Sequence, residues 1–101
     1  MLQDLNSILI EGVVRTFPHR DTEGPLSFKI DNSKIKPRSK SGKGGSLVVV
    51  DISSLPVQKR QSFARGQRVR VVGCLNASTR GTISVVAEHV EVCHRQVKAI
   101  A

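Results

Sequence analysis

The sequence predicts a small all-β domain, and three of its features support this fold class. The 101 residues are enough for one domain with a modest core. Valine, isoleucine and leucine occur in short alternating stretches separated by residues that favour turns, which is the pattern of a sheet protein. One segment just past the middle of the chain carries start and stop signals for a helix.

The first predicted strand covers residues 6–14, and its side chains alternate between two faces. Ile8 and Ile10 share one face with Gly12. A glycine inside a strand indicates a bulge or a bend, as is needed where a strand turns the corner of a barrel. The next segment, residues 17–25, contains two prolines and is predicted to be a turn or an irregular connection.

Two further strands are predicted before the helix. Residues 26–32 alternate, with Phe28 and Ile30 directed inward. Residues 46–53 are apolar enough to be buried on both faces. Between these strands, residues 33–46 contain five Lys and Arg residues together with Ser and Gly, which predicts a flexible basic loop.

The predicted helix covers residues 55–65. Ser54 can act as its N-cap, and Gly66 is suited to end it. Val57 and Phe63 would mark its apolar side, although a spacing of six residues fits a helical face poorly.

A β-hairpin is predicted after the helix. Residues 67–76 begin with strict alternation, in which Arg68 and Arg70 face away from the intervening valines. Residues 77–81 form a tight turn, and residues 82–92 form the returning strand.

This order of elements is that of the OB-fold, a five-stranded Greek-key barrel with one short helix between strands 3 and 4. We expect residues 1–101 to form one such domain, which includes a short irregular tail from about residue 94. The fold binds oligonucleotides and oligosaccharides on its second and third strands and in the adjacent loops. The basic loop at residues 33–46 joins these two strands, which favours a role in binding.

The charge of the chain favours a polyanionic partner. Lys and Arg total 16 against 8 Asp and Glu, which gives a net charge of +8. Nucleic acid is the first candidate and an anionic membrane surface the second, while a basic surface that serves solubility alone is the alternative. The sequence has no apolar stretch of about 18 residues and no signal peptide pattern, so we expect a soluble, cytoplasmic protein that does not enter a membrane.

Residues that could support catalysis or metal binding are scattered. Cys74 and Cys93 are expected to pack as small hydrophobic residues. Cys93 and His94 have no second Cys or His cluster at metal-ligand spacing. The histidines have no nucleophile or carboxylate at a suggestive spacing, and the aspartates form no pair. We therefore expect no enzymatic activity, no cofactor and no metal.

Several stretches resemble the bacterial single-stranded DNA-binding proteins. LNSILIEGVV (residues 5–14) is similar to the first strand of that family, and VVAEHVEV (residues 85–92) to its last strand. The segment LVVVDISSLPVQKRQSFARGQRVRVVGCL (residues 47–75) resembles the family's strand, helix start, turn and following strand. Pro18 and Arg20 are similar to its Asp-Pro-x-x-Arg segment, although Phe17 stands where Asp is usual.

The resemblance implies an OB-fold that binds single-stranded DNA in replication, recombination or repair. It also implies a homo-oligomer, a dimer or a tetramer, assembled through the edge of the first strand, with replication proteins as possible partners. The related primosomal replication proteins N are an alternative, because they share the barrel, form dimers and bind strands largely through basic residues. A second alternative is an OB-fold module for protein interaction, whose basic loop contacts an acidic partner.

The sequence departs from that family in its aromatic residues, its hairpin loop and its tail. Trp and Tyr are absent, and the turn at residues 77–81 is short. The chain also ends without the family's long acidic tail. Phe28 and Phe63 are expected in the core, which leaves Phe17 as the candidate for stacking on a base.

We therefore expect phosphate contacts to replace much of the base stacking. Composition does not separate DNA from RNA as the ligand. The basic loop could instead be a solvated connection without a binding role. The arginines of the hairpin could instead lie on an ordinary exposed face of the sheet. The predicted nucleic-acid-binding residues are Arg15, Phe17, Arg20, Lys29, Lys34, Lys36, Arg38, Lys40, Lys43, Arg68, Arg70 and Arg80.

Overall fold

The alternating apolar stretches of the sequence form the strands of a single sheet. The computed structural model describes residues 4–20, 24–35, 47–79 and 81–93. These residues form six strands and one helix: β1 (Ile8–Val14), β2 (His19–Arg20), β3 (Leu26–Asp31), β4 (Leu47–Asp51), α1 (Val57–Arg60), β5 (Arg68–Ala77) and β6 (Ile83–Val92).

Five of these strands close into a barrel. Their order is β1-β5-β6-β4-β3, and β1 also pairs with β3, which closes the ring. The pairing of β4 with β6 is parallel, and the other pairings are antiparallel. The two-residue strand β2 adds to the outer edge of β3. Since α1 lies between the third and fourth strands of the barrel, the predicted OB-fold is confirmed.

The inward residues of all five barrel strands form one hydrophobic core. The predicted inward positions Phe28 and Ile30 are fully buried. The ring of Phe63 meets that of Phe28 edge to face, with 5.2 Å between the ring centroids. The prediction that both phenylalanines serve the core is confirmed. The buried core consists of Val14, Phe28, Ile30, Val50, Ile52, Leu55, Phe63, Val69, Val71, Val85, Ala87 and Val90.

Gly12 lies at a corner of the barrel, as its position inside a strand predicted. Residues 8–13 of β1 pair with β5, whereas Val13 and Val14 pair with β3. At this change of partner the two backbones approach so closely that a Cβ atom on Gly12 would lie 2.8 Å from the carbonyl oxygen of Asp31. In the described pairings of β1 the register is continuous, so Gly12 allows a close approach rather than a bulge.

The expected helix at residues 55–65 is wrong in its length, because α1 covers only Val57–Arg60. Val57 is exposed while Phe63 is buried. A helix cannot direct residues six positions apart to the same face, so the chain leaves the helix before Phe63 can enter the core.

Ser54 does not cap the helix as expected. The N-cap residue is Pro56, and no side chain hydrogen-bonds there. Arg60 stabilises the turn instead, because its guanidinium donates to the carbonyl oxygens of Leu55 (2.8 Å) and Ser53 (3.0 Å).

The expectation that β4 is buried on both faces is wrong. Val50 is fully buried, but Val49 is half-buried and Leu47 is 45% exposed. A closed barrel has one interior, so the outward residues of a strand stay partly exposed unless another element covers them.

The predicted hairpin between β5 and β6 is confirmed. The backbone N–H of Ser78 donates to the carbonyl oxygen of Thr82 (2.8 Å), and that of Gly81 donates to the carbonyl oxygen of Ser78 (2.9 Å). Val69 and Val71 of β5 face inward, while Arg68 and Arg70 are exposed on the outer surface.

Candidate nucleic-acid interface

Charged side chains from three strands meet on the outer surface of the barrel. In the antiparallel register Glu11 lies opposite Arg70, and Val13 lies opposite both Arg68 and Asp31. Residues in register share a face of the sheet, and so do alternate residues of one strand. The outer surface therefore carries what we call the charged band: Glu11, Arg15, Lys29, Asp31, Arg68 and Arg70.

Two arginines of the charged band share one carboxylate. The side chain of Arg70 donates to Oε2 of Glu11 through Nε (3.0 Å) and contacts it through Nη2 (2.8 Å). Nη1 of Arg68 lies 3.9 Å from Oε1 of the same residue. The hydrogen bond to Glu11, followed by its negative charge, raises the pKa of Arg70 above its ordinary value. Arg70 is therefore positive at neutral pH, but Glu11 offsets part of its charge.

Arg15 also has a carboxylate partner. Its Nη2 lies 3.0 Å and its Nε 3.2 Å from Oδ2 of Asp31. This pair joins β1 to β3 across the outer surface. More than half of the Arg15 side chain is exposed, so an ion pair of this kind exchanges readily with anions from solvent.

Lys29 and Lys34 carry charges that no carboxylate of the described chain offsets. The backbone of Lys29 is fixed on both sides: its N–H donates to Oγ1 of Thr16 (3.0 Å), and its carbonyl oxygen accepts from the N–H of Arg15 (2.8 Å). The N–H of Lys34 donates to Oδ1 of Asn32 (2.7 Å), just beyond the end of β3. Among the described cations in the charged band and at its border, these two ammonium groups are therefore the ones most available to an incoming phosphate.

The structure does not bring Arg20 into the charged band. Arg20 lies in β2 in register with Leu26, whose side chain packs against the core. Because residues in register share a face, Arg20 lies on the other side of the sheet from Lys29. Arg20 is exposed, but outside the charged band.

Phe17 is 59% exposed and lies at the edge of an apolar cleft. It follows Arg15 of the charged band by two residues in the chain. The cleft has a volume of about 490 Å³. Its lining residues are Phe17, Pro18, Leu26, Val57, Arg60, Gln61 and Phe63.

Five of the predicted site residues lie outside the described residues. They are Lys36, Arg38, Lys40 and Lys43 of the basic loop, and Arg80 of the hairpin turn. The described chain stops at Ile35 and resumes at Leu47, which pairs with Asp31. The basic segment is thus attached where the charged band meets the end of β3.

Sequence reasoning missed the two carboxylates of the charged band. Glu11 and Asp31 occupy outward positions of predicted strands, and that alternation is the only signal that they face the arginines. Their partners are set by strand register, which the sequence does not specify. Two residues beyond the band that sequence reasoning also missed are Thr16 and Asn32, whose side chains fix the backbones of Lys29 and Lys34.

The described part of the chain contains neither a cluster of metal-ligating side chains nor a membrane-spanning helix. Among its residues, no group of three or more His, Cys, Asp and Glu side chains could hold a metal ion. None of the helices in the same ranges is long and apolar enough to cross a membrane. Cys74 and Cys93 are half-buried free thiols.

The closed barrel, its helix and its outer charged band define an OB-fold protein. No protein-family model matches the sequence, and no curated protein matches it. Solved structures with the same fold support this class. They include the Stn1-Ten1 complex of S. pombe (TM-score 0.62, 20% identity, 90% of this chain). A deletion mutant of the single-stranded DNA binding protein from Thermus aquaticus is similar at a TM-score of 0.61 and 16% identity over 91% of this chain.

A third neighbour is close to this chain in length. It is the dimeric N-terminal domain of the PriB protein from Thermoanaerobacter tencongensis, with a TM-score of 0.60 and 22% identity over 89% of this chain and 98% of that one. The chain spans only 60% of the S. pombe chain and 42% of the T. aquaticus chain. The predicted resemblance to single-stranded DNA-binding proteins is thus confirmed at the level of the fold.

Proposed function

We propose that this chain is a single OB-fold domain that binds single-stranded DNA, without catalysis, mainly by attracting phosphates. The observation that carries the proposal is the position of Arg15, Lys29, Arg68 and Arg70 on one outer surface, with Lys34 at its border. The neighbour from T. aquaticus, a single-stranded DNA binding protein, supports this ligand class. RNA is the second candidate ligand. The activity would serve DNA replication, recombination or repair.

The charged band suits a flexible polyanion better than a rigid one. Its cations lie on β3, on β5 and directly after β1, so a DNA strand that crosses the barrel would meet several of them in succession. Lys29 and Lys34 can each neutralise a phosphate directly. Arg15 can do so by exchanging its ion pair with Asp31 for an ion pair with the phosphate. Lys36, Arg38, Lys40 and Lys43, which lie outside the described residues, are proposed to contribute further phosphate contacts. None of these contacts distinguishes one base from another, so we expect binding that is indifferent to sequence.

Salt dependence tests this proposal most directly. If about five cations each neutralise one phosphate, a plot of log affinity against log salt concentration has a slope of about −3.5 for single-stranded DNA. The measurement is a fluorescence titration with labelled polythymidine between low and moderate salt, with duplex DNA of equal length as the comparison. Weak binding that does not respond to salt would contradict the proposal.

Phe17 is proposed to stack on a base at the edge of the charged band. A stacked base contributes about 1–3 kcal/mol, so Phe17→Ala is expected to weaken polythymidine binding roughly tenfold and Phe17→Trp to preserve it. Ile83→Ala is a matched control, because Ile83 is 60% exposed, nearly the same as Phe17, but lies in the β5–β6 hairpin. An equal loss in both alanine variants, or no loss in either, would show that Phe17 does not stack.

We also propose that the chain assembles as a homo-oligomer through β1. Residues 8–12 of β1 pair with β5 on one edge, while β3 covers the other edge only at Val13 and Val14. An uncovered strand edge is a template for pairing with another chain. The PriB neighbour is dimeric, which favours a dimer over a tetramer. Sedimentation equilibrium tests the assembly, and a monomeric mass at micromolar concentration would exclude it.

A protein-interaction module is the second candidate function, and an apolar surface favours it. Leu47, Leu75 and Ile83 are each more than 40% exposed, and together with Ile8 and Ile10 they line a cleft of about 410 Å³. The S. pombe neighbour is itself part of a complex of two proteins. Failure of the protein to bind any oligonucleotide at low salt would favour this candidate. A role in replication restart would combine single-stranded DNA binding with protein interaction.

A further inference from the structure

Glu11 holds a central position in the charged band. Its carboxylate contacts Arg70 at 2.8 Å and Arg68 at 3.9 Å, and each contact joins β1 to β5. The side chain of Glu11 is 40% exposed, and the two arginine side chains are about half exposed. The carboxylate of Glu11 therefore already pairs with Arg68 and Arg70, two cations that a phosphate would otherwise contact.

The backbone at Glu11 is fixed, so its charge cannot leave the band. Its carbonyl oxygen accepts a hydrogen bond from Nδ2 of Asn32 (2.8 Å), and the residue pairs with Arg70 across the sheet. The next residue, Gly12, lies in close contact with the backbone of β3. Rotation of the side chain can release the arginines, but the carboxylate stays within a few ångströms of them.

We propose that Glu11 is an affinity-limiting residue, a built-in competitor that keeps Arg68 and Arg70 from contributing fully to nucleic-acid binding. A phosphate that reaches these arginines replaces one anion with another, so little ionic attraction is gained. It also comes close to the displaced carboxylate, which repels it. This inference rests on the proposed binding of single-stranded DNA.

Neutralising Glu11 without changing its shape tests the role. Glu11→Gln is expected to tighten polythymidine binding at low salt roughly fivefold, the order expected for one unit charge about 4 Å from another in water. It also frees two cations for phosphates, so the slope of log affinity against log salt steepens by up to about 1.4. Glu88→Gln is the matched control, because it changes the net charge equally but breaks none of the ion pairs found between described residues.

A double-mutant cycle separates competition from simple support of the fold. Arg70→Ala is expected to change affinity little when Glu11 is present, and to remove much of the gain when it is introduced into Glu11→Gln. If Glu11 only supports the fold, Glu11→Gln lowers Tm without tightening binding, and the two substitutions have independent effects on affinity. That result would overturn the inference.

The same titrations distinguish the two proposals. Wild-type protein that fails to bind polythymidine at low salt contradicts the proposed function itself. Wild-type protein that binds with a clear salt response, but no more weakly than Glu11→Gln, contradicts only the role of Glu11. A gain of the same size in Glu88→Gln would also overturn that role, because it would assign the effect to net charge.

Discussion

Replacement of Gly73 by alanine is expected to lower the free energy of unfolding by about 3 kcal/mol or more, which lowers Tm by at least about 12 °C. Gly73 is a buried residue of β5 that faces β6. A Cβ atom there would clash with the carbonyl oxygen of Val86 and lie 2.9 Å from its carbonyl carbon. These are backbone atoms of a paired strand, so they cannot move aside as a flexible side chain can.

The register of the sheet explains this close approach. Between Val72 and Gly73 the pairing with β6 shifts by one residue, because Val72 lies opposite His89 whereas Gly73 lies opposite Ala87. Such a bulge bends the strand and increases its twist, which helps a five-stranded sheet to close. A side chain at position 73 would therefore strain the longest hairpin of the barrel at the point where it curves.

Gly66→Ala is the control for Gly73→Ala. Gly66 has a φ of +90°, but a Cβ atom there would meet nothing within 4 Å. The control substitution should therefore cost about 1 kcal/mol, through backbone conformation alone. Thermal and urea unfolding followed by circular dichroism measure both variants. Equal losses of stability would show that the contact with β6 is not the cause.

The strands of the barrel could be predicted from the sequence because each has its own alternating pattern. Val69 and Val71 face inward and the arginines between and before them face outward, as a period of two requires. The helix was predicted too long because its two apolar markers, Val57 and Phe63, do not share a face. Tertiary packing determines where the helix ends, because the ring of Phe63 packs against that of Phe28 in the core while Val57 stays exposed to solvent.

The candidate site could be predicted only in part, for a physical reason. The sequence shows which residues are cationic and which strand positions face outward, and on that basis Arg15, Lys29, Arg68 and Arg70 were predicted as candidates. It does not show which strands are neighbours. The contact between Arg70 and Glu11 joins residues 59 positions apart, and it exists only because the barrel places β1 beside β5. The carboxylates of the charged band, and the cations whose charge they offset, can therefore be identified only from the strand register.

Reversal of charge at Lys29 and Lys34 together is expected to weaken polythymidine binding by about two orders of magnitude at low salt. These cations have no carboxylate partner among the described residues, so their full charge is available to phosphates. Each substitution by Glu removes one attraction and adds one repulsion of similar size. The loss of two phosphate contacts should also make the slope of log affinity against log salt shallower by about 1.4.

A charge-matched control removes the contribution of net charge. Lys29→Glu with Lys34→Glu lowers the net charge from +8 to +4, because each reversal removes two charges. The triple variant Ser54→Glu, Gln58→Glu and Lys59→Glu removes the same four charges from exposed positions around α1. If the charged band binds the strand, the control loses far less affinity and keeps the slope of the wild type. If both variants weaken binding equally, the DNA responds to the overall charge of the barrel, and the charged band is not a specific binding site.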